Sequence, residues 1–241
     1  MKILGIESAA LVASVAIIDE NVTIAEYTTN FKKTHSETLL PMLDEIVKMT
    51  GISLSELSAI AVSGGPGSFT GLRIGAASAK GLGLSLDLPL IHVPTLDAMA
   101  LNIYSSDALI VPIMDARRNQ VYTGIYKNDH HLEVVRESMA VSIDELLDIL
   151  REIDKEEKIK RTVFLGDGVP VFREYIDKNL EIAHDFASAN LNRQRASNIA
   201  MLGMEMFKEG KTMVSDDMRP EYLRKSQAER ERNVDKTDAG L

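Results

Sequence analysis

The sequence predicts an α/β protein built as two like-organised halves, residues 1–105 and 106–241, each holding a mixed sheet flanked by helices. Three observations carry this. Three β-type runs with short breaks open the chain, and three more begin near Ala108. Each trio is followed by helix–strand–helix spacing, which implies parallel crossovers. Finally, Val62–Gly83, reading VSGGPGSFTGLRIGAASAKGLG, turns an apolar run through glycines into a helix poor in large side chains. No sequence identity links the halves; only the order of elements repeats.

In the first half, Lys2–Ile6, Leu11–Ile18 and Val22–Thr29 read as strands, with Asp19-Glu20-Asn21 as the turn between the last two. Thr34 and Glu37 have capping-box spacing and open a helix that runs to about Met49, with Gly51 as its stop and Pro41 as a bend. On a wheel, Leu39, Leu40, Met42, Leu43, Ile46, Val47 and Met49 cover about half the circumference. A surface helix needs an apolar stripe only roughly 100° wide. Ser58–Ser63 is the next strand. Ser68 or Thr70 caps the glycine-rich helix, Leu90–Val93 follows as a strand, and Thr95 caps a short helix to about Tyr104.

The glycine-rich helix sets a specific expectation. Gly75, Ala76, Ala79 and Gly83 form a smooth strip flanked by Leu72, Leu82 and Leu86. A glycine inside a helix costs about 1 kcal/mol relative to alanine, so a close backbone approach must offset Gly75, Gly81 and Gly83. The spacing of Gly75, Ala79 and Gly83 suits a second helix. The faces of these two helices, Leu39, Met42, Leu43 and Ile46 with Leu72, Gly75, Ala79 and Gly83, are therefore the candidate partner-binding surface. The sequence does not decide which strip faces outward; Met42, Ile46, Gly75, Ala79 and Gly83 are the candidates.

In the second half, Ala108–Met114, Gln120–Tyr126 and His131–Ser138 are strands. Ser142 and Glu145 form a capping box for a helix to about Ile153, and the charged stretch DKEEKIKR follows. Thr162–Leu165 is a strand that Gly166-Asp167-Gly168 turns into a helix with Pro170 near its start. Leu180–Ala183 is a weaker strand, and Ser197 caps a helix ending at Gly210. From Asp216 the chain is charged and poor in apolar residues, and Asp235–Leu241 reads as a frayed tail.

Two βββαβαβα halves point to the duplicated ribonuclease-H-like fold of the actin-like ATPase superfamily. There a nucleotide sits between the halves, and the first hairpin of each grips phosphate through a carboxylate, a glycine and a hydroxyl residue. Here those hairpins read Glu7-Ser8-Ala9-Ala10 and Asp115-Ala116-Arg117-Arg118. Glu7, Ser8 and Asp115 are thus candidates for a degenerate nucleotide site. The missing glycines predict a weakened or lost ATP grip.

A net charge of -9 over 241 residues argues against a general nucleic-acid-coating surface. The chain contains no cysteine, which removes disulfides and thiolate metal sites and fits a reducing cytosol. The apolar run at the start is broken by Glu7, too short for a signal peptide, and no run approaches the ~18 residues of a membrane span. A cytoplasmic protein is expected. The histidines 35, 92, 130, 131 and 184 contain no i, i+4 pair and no HExxH, so no metal site is expected. His35 is assigned a capping or surface role, and His130-His131 an exposed turn. The loop Gly64–Gly71 lacks the P-loop lysine and GxSxG is absent; a tight strand-to-helix turn is favoured over an anion site. Arg117-Arg118 and Arg219, Arg224, Lys225, Arg230 and Arg232 could touch RNA phosphate, but interleaved Glu221, Glu229 and Glu231 favour a solvated face.

Four motifs in order along the chain, His35-Ser36-Glu37 with Leu39-Leu40-Pro41, the run Gly65–Gly75 (GPGSFTGLRIG), Asp115-Ala116-Arg117 before Val121-Tyr122, and Pro220-Glu221-Tyr222-Leu223-Arg224, resemble the TsaB (YeaZ) family. The departure is Glu7-Ser8, where the family has an aspartate with a hydroxyl residue. The resemblance implies a non-catalytic structural or regulatory subunit of bacterial tRNA threonylcarbamoyladenosine synthesis. It implies pairing with the catalytic paralogue TsaD and the ATPase TsaE, which carry the metal and ATP, and indirect contact with tRNA through the complex. It also implies a homodimer through the first two helices, whose face meets the paralogue as well. The alternative is a stand-alone ATP-dependent phosphotransferase of the actin-like class.

Overall fold

The computed structural model describes residues 1–104 and 106–223. The expectations for Arg224, Lys225, Glu229, Arg230, Glu231, Arg232 and the tail from Asp235 lie outside the described residues.

The strands are β1 (Lys2–Glu7), β2 (Ala13–Asp19), β3 (Thr23–Thr29), β4 (Ala59–Gly65), β5 (Leu90–Pro94), β6 (Ser106–Asp115), β7 (Gln120–Asp129), β8 (His131–Ser142), β9 (Thr162–Leu165) and β10 (His184–Phe186). The helices are α1 (His35–Thr50), α2 (Phe69–Leu86), α3 (Thr95–Ala100), α4 (Ile143–Glu156), α5 (Val169–Asn179) and α6 (Ala196–Lys208). One sheet runs β3-β2-β1-β4-β5 and the other β10-β9-β6-β7-β8. In each, the first three strands pair antiparallel, and the first strand and those beyond it pair parallel. This is the duplicated ribonuclease-H-like fold, each half repeating the other's strand order.

Local chemistry explains most boundaries. Ser68 accepts the Gly71 N–H to cap α2, and Ser142 with Glu145 completes the capping box of α4. Gly51, at φ 72°, ends α1 with its N–H on Val47 O. Three expectations fail locally. The Thr34 side chain makes no cap bond to the backbone, because its hydroxyl pairs with that of Ser36. The weak strand expected at Leu180–Ala183 forms instead at His184–Phe186 beside β9. Thr95 sits inside α3, not at its cap, and its hydroxyl accepts the Gly65 N–H at 3.2 Å.

The strands before and after residue 105 form separate sheets, and each half's final helix leans on the other half. α3 contacts β6, β7 and β8. There the Tyr126 hydroxyl donates to the Asp97 carboxylate at 2.9 Å. α6 returns to the first sheet, where Ile199, Ala200 and Met204 pack with Ile3, Ala59, Ala61, Ile91 and Val93. Ser197 does not cap α6. The Glu26 carboxylate of β3 does so, accepting the Ser197 N–H at 3.0 Å and its hydroxyl at 2.7 Å while pairing with Arg195. Beyond α6, Met213 bridges to Leu90 and Met218 joins the first core. A further core, Ala9, Ala10, Leu72, Leu96 and Met99 with Ile110, Met114, Tyr126 and Leu165, fills the junction between the halves.

Candidate functional site between the halves

The glycine-rich helix meets the expected close approach: α1 packs beside it, but at its glycines the nearest atoms come from Ser8, Ser215 and Leu90. A Cβ at Gly71 or Gly75 would collide with Ser8, and one at Gly83 with the Ser215 hydroxyl and Leu90. Gly81 faces open space. The strip therefore points into the chain's own interior. Leu39, Met42, Leu43, Ile46 and Ala79 are at most 6% exposed and belong to the core on the first sheet. Leu72 is fully buried at the junction, and Gly75 and Gly83 are buried too. The candidacy of Met42, Ile46, Gly75, Ala79 and Gly83 for the outward strip is corrected: a helical wheel gives a strip but not its neighbour. The exposed apolar side chains of these helices are Leu40, Met49 and Leu84, together with half-exposed Phe69.

The glycine loop is a packing device. Ser68 N–H donates to Ala9 O at 2.6 Å, and a Cβ at Gly67 would strike Ala9. Gly65, at φ 126°, lies against the backbone of Glu221, whose N–H donates to Gly64 O at 2.7 Å. Tyr222 continues this strap onto α2. Its ring lies 4.9 Å from Phe69, and Arg73 stacks 3.9 Å above Phe69 while its Nε donates to the Tyr222 hydroxyl.

Both hairpins turn their donors inward. Ala9 N–H donates to Glu7 Oε1 at 2.6 Å, and Ser8 N–H to Ser63 Oγ at 3.1 Å. In the second half Arg117 N–H donates to Asp115 Oδ1 at 2.8 Å, and Ala116 N–H to Gln120 O at 3.0 Å. The fold family implies a nucleotide whose phosphates use such backbone donors, and these hairpins do not fit it. The carboxylates that open each hairpin take the N–H two residues on, and Arg117 also pairs with Asp115 at 3.1 Å. Ser8 gives its hydroxyl to Gly71 O at 3.0 Å.

Glu7 is 1% exposed, and burial pushes its carboxyl up to about 7 against the lowering effect of its Ala9 and Ser63 bonds. Asp167, across the junction, is also raised by burial, with Arg193 opposing the shift. Its Oδ1 and both amide atoms of buried Gln194 lack hydrogen-bond partners among the described residues. Gly166-Asp167-Gly168, which the sequence offers as a nucleotide-adjacent loop or, in preference, a plain turn, brings Asp167 to the cleft. His35 is corrected more sharply. It is 8% exposed rather than on the surface, and its Nε2 bonds Ala10 O at 2.8 Å. His130 and His131 are exposed at the β7–β8 turn as expected. Arg117, Arg118 and Asn119 all take positive φ at the second hairpin's tip.

A cleft of about 720 Å³ lies between the halves, lined by both hairpins, the starts of α1 and α2, and Asp167. Among the described residues no group of three His, Asp or Glu side chains could hold a metal ion, and no helix is long and apolar enough to cross a membrane.

A protein-family model described as TsaD, tRNA N6-adenosine threonylcarbamoyltransferase, matches residues 23–232. The chain is 36% identical over 230 residues to the tRNA threonylcarbamoyladenosine biosynthesis protein TsaB of Bacillus subtilis, covering 95% of this chain and 96% of that protein. It is 30% identical over 232 residues to the Escherichia coli protein of the same name, covering 95% and 96%. The solved YeaZ structure from Pseudomonas aeruginosa superposes with a TM-score of 0.73 at 22% identity, covering 92% of this chain and 99% of that one. At that identity the superposition speaks for the fold.

Proposed function

The chain belongs to the TsaB family of tRNA threonylcarbamoyladenosine biosynthesis proteins, and from that premise we propose that it is a non-catalytic, structural subunit supporting the catalytic paralogue TsaD. The observation that carries this reading is the closure of both hairpins. The donors that a phosphoryl-transfer enzyme would turn on its nucleotide are bonded to Glu7, Ser63, Asp115 and Gln120. Phosphoryl transfer depends on positioning and charge stabilisation of the phosphates, and neither hairpin is free to supply it. The same observation weighs against a stand-alone phosphotransferase. ATP and the metal are assigned to TsaE and TsaD, contact with tRNA is indirect, and the cytoplasm is the expected compartment.

The partner surface is assigned to the outer faces of α1 and α2, with the residues revised. Leu40, Met49 and Leu84 are 49%, 78% and 67% exposed and stand on helices whose opposite faces are already buried. A pair of such helices can pack against those of a second copy or of a like-built paralogue as a four-helix bundle. The test is reconstitution: threonylcarbamoyladenosine forms when this chain joins TsaD and TsaE and falls to background when it is left out. Formation by this chain alone, or no dependence on it, would refute the reading.

A further inference from the structure

β3 is the outer strand of the first sheet. It pairs with β2 on one side, and among the described residues nothing pairs with its other side. An outer strand is a template for pairing with another chain unless charge, proline or a covering segment blunts it. The duplicated fold supplies its own comparison. β8 holds the equivalent place in the second sheet and carries Glu133, Arg136 and Glu137, while the outer side of β5 takes the bridge from Met213 to Leu90. β3 reads Thr23-Ile24-Ala25-Glu26-Tyr27-Thr28-Thr29, without proline. Its one charge, Glu26, is turned inward onto Arg195 and Ser197. What remains is uncharged and rich in β-branched and aromatic residues, with Tyr27 47% exposed.

The two ends of this strand carry opposite charge. Asp19 and Glu20 lie at the turn before it, and Lys32 and Lys33 follow the bend after it. Asp19 accepts the Asn21 and Val22 N–H groups through Oδ1, and Glu20 accepts the chain's amino terminus through Oε2, so one oxygen of each keeps no hydrogen bond among the described residues. Neither lysine has a carboxylate partner among the described residues. Parallel pairing of two such strands would set like charges together. Antiparallel pairing sets the lysine end of each against the acidic end of the other, twice over, as a two-fold axis requires.

The side chains agree with this arrangement. Tyr27, Thr29 and 68%-exposed Phe31 lie on the α1 side, where with Pro41 and Met42 they line a groove of about 650 Å³ that Lys33, Glu37 and Glu45 also border. Pairing about Glu26, the middle residue, sets each Tyr27 opposite the second copy's Ala25 and diagonal to its Tyr27, within reach of an aromatic ring. We propose that β3 is a self-association edge, to which a second copy of this chain adds its own β3 antiparallel, joining their first sheets across the two-fold axis. The contact goes beyond the subunit reading and stands independently of it.

The test uses the full chain carrying Leu84→Glu, which removes the helix face as a second route to self-association. Sedimentation velocity at up to about 1 mM is expected to show a monomer–dimer equilibrium, since one strand pair is a small interface. Hydrogen exchange at the outward amides of Thr23–Thr29 should slow as the dimer fills. Tyr27→Lys sets like charges diagonally across the axis and should abolish the dimer. Lys32→Glu and Glu20→Lys should each weaken it about tenfold, and the double variant, which exchanges the two charges, should regain the parent's strength. Melting temperatures should stay near the parent's, because all three side chains are exposed. A monomer at every concentration overturns the proposal, as does a dimer indifferent to Tyr27→Lys or a double variant as weak as either single one. Protection of the β3 amides only when TsaD is added would give the edge to the paralogue and overturn it as well.

Discussion

The Glu7 carboxylate accepts the backbone N–H of Ala9 at 2.6 Å, and Asp115 does the same to Arg117 at 2.8 Å in the other half. The duplicated fold thus repeats one local solution twice, a carboxylate folded back over its own hairpin. Each spends a backbone donor that a phosphate would need.

Calorimetric titration with ATP and magnesium is therefore expected to show no binding between the hairpins, and the pure chain no ATP turnover. Steady turnover abolished by Glu7→Ala or Asp115→Ala would show that the hairpins open and grip nucleotide.

Glu7 also makes stability depend on pH. Its folded value of about 7 lies above the ordinary glutamate value of 4.5, so the unfolded chain releases this proton first. Stability from this group is fully present below about pH 4.5 and declines as pH rises to about 7, by a few kcal/mol at most. Glu7→Gln keeps an acceptor for Ala9 and cannot ionise. It should raise the melting temperature at pH 8 and have little effect at pH 4.5; equal effects at both would mean that Glu7 is not held protonated.

Glu26 has the opposite sign. Burial alone would raise its carboxyl, but the Arg195 pair and the Ser197 donors outweigh that and leave it below the ordinary value. Its contribution is present above the unfolded carboxylate range and lost as pH falls through the lowered folded value. Glu26→Ala uncaps α6 and strands Arg195, with an expected cost of about 2–3 kcal/mol at neutral pH. In denaturant melts that cost should shrink on acidification. A constant cost would assign it to packing instead.

The two helix faces separate cleanly by mutation. Ala79 is fully buried, so Ala79→Glu places a charge in the core and should unfold or severely destabilise the chain. Leu84→Glu, on the exposed face, should leave the folding stability within about 0.5 kcal/mol of the parent and weaken association with the paralogue. A folded Ala79→Glu protein, or unaltered association in Leu84→Glu, would place the contact elsewhere.

The sheets were legible because alternating apolar runs and turn residues are local signals; Gly51, Ser68 and the Ser142–Glu145 box likewise act within a few residues. What escaped depends on distant neighbours. The apolar face of α6 does not say which sheet it covers, and its cap, Glu26, lies 171 residues from Ser197. His35 looked like a surface residue because nothing near it in sequence announces Ala10 and Gly71 packed against its ring. The small strip of α2 was read correctly as a close approach, but its neighbours, Ser8 and Ser215, come from opposite ends of the chain. Of the cleft lining, Asp115 was identified from the repeated hairpins, while Glu7 and Ser8 are buried and do not line it; Asp167 lies in a loop offered as nucleotide-adjacent but read as a turn, and Lys33 carried no motif.

Association with the paralogue decides whether this chain works as a subunit. Sedimentation velocity of the full chain mixed with TsaD from the same organism is the direct measurement. A single heavier boundary containing both proteins, weakened by Leu84→Glu, is the predicted result. Two boundaries sedimenting independently at concentrations that sustain threonylcarbamoyladenosine formation would contradict it.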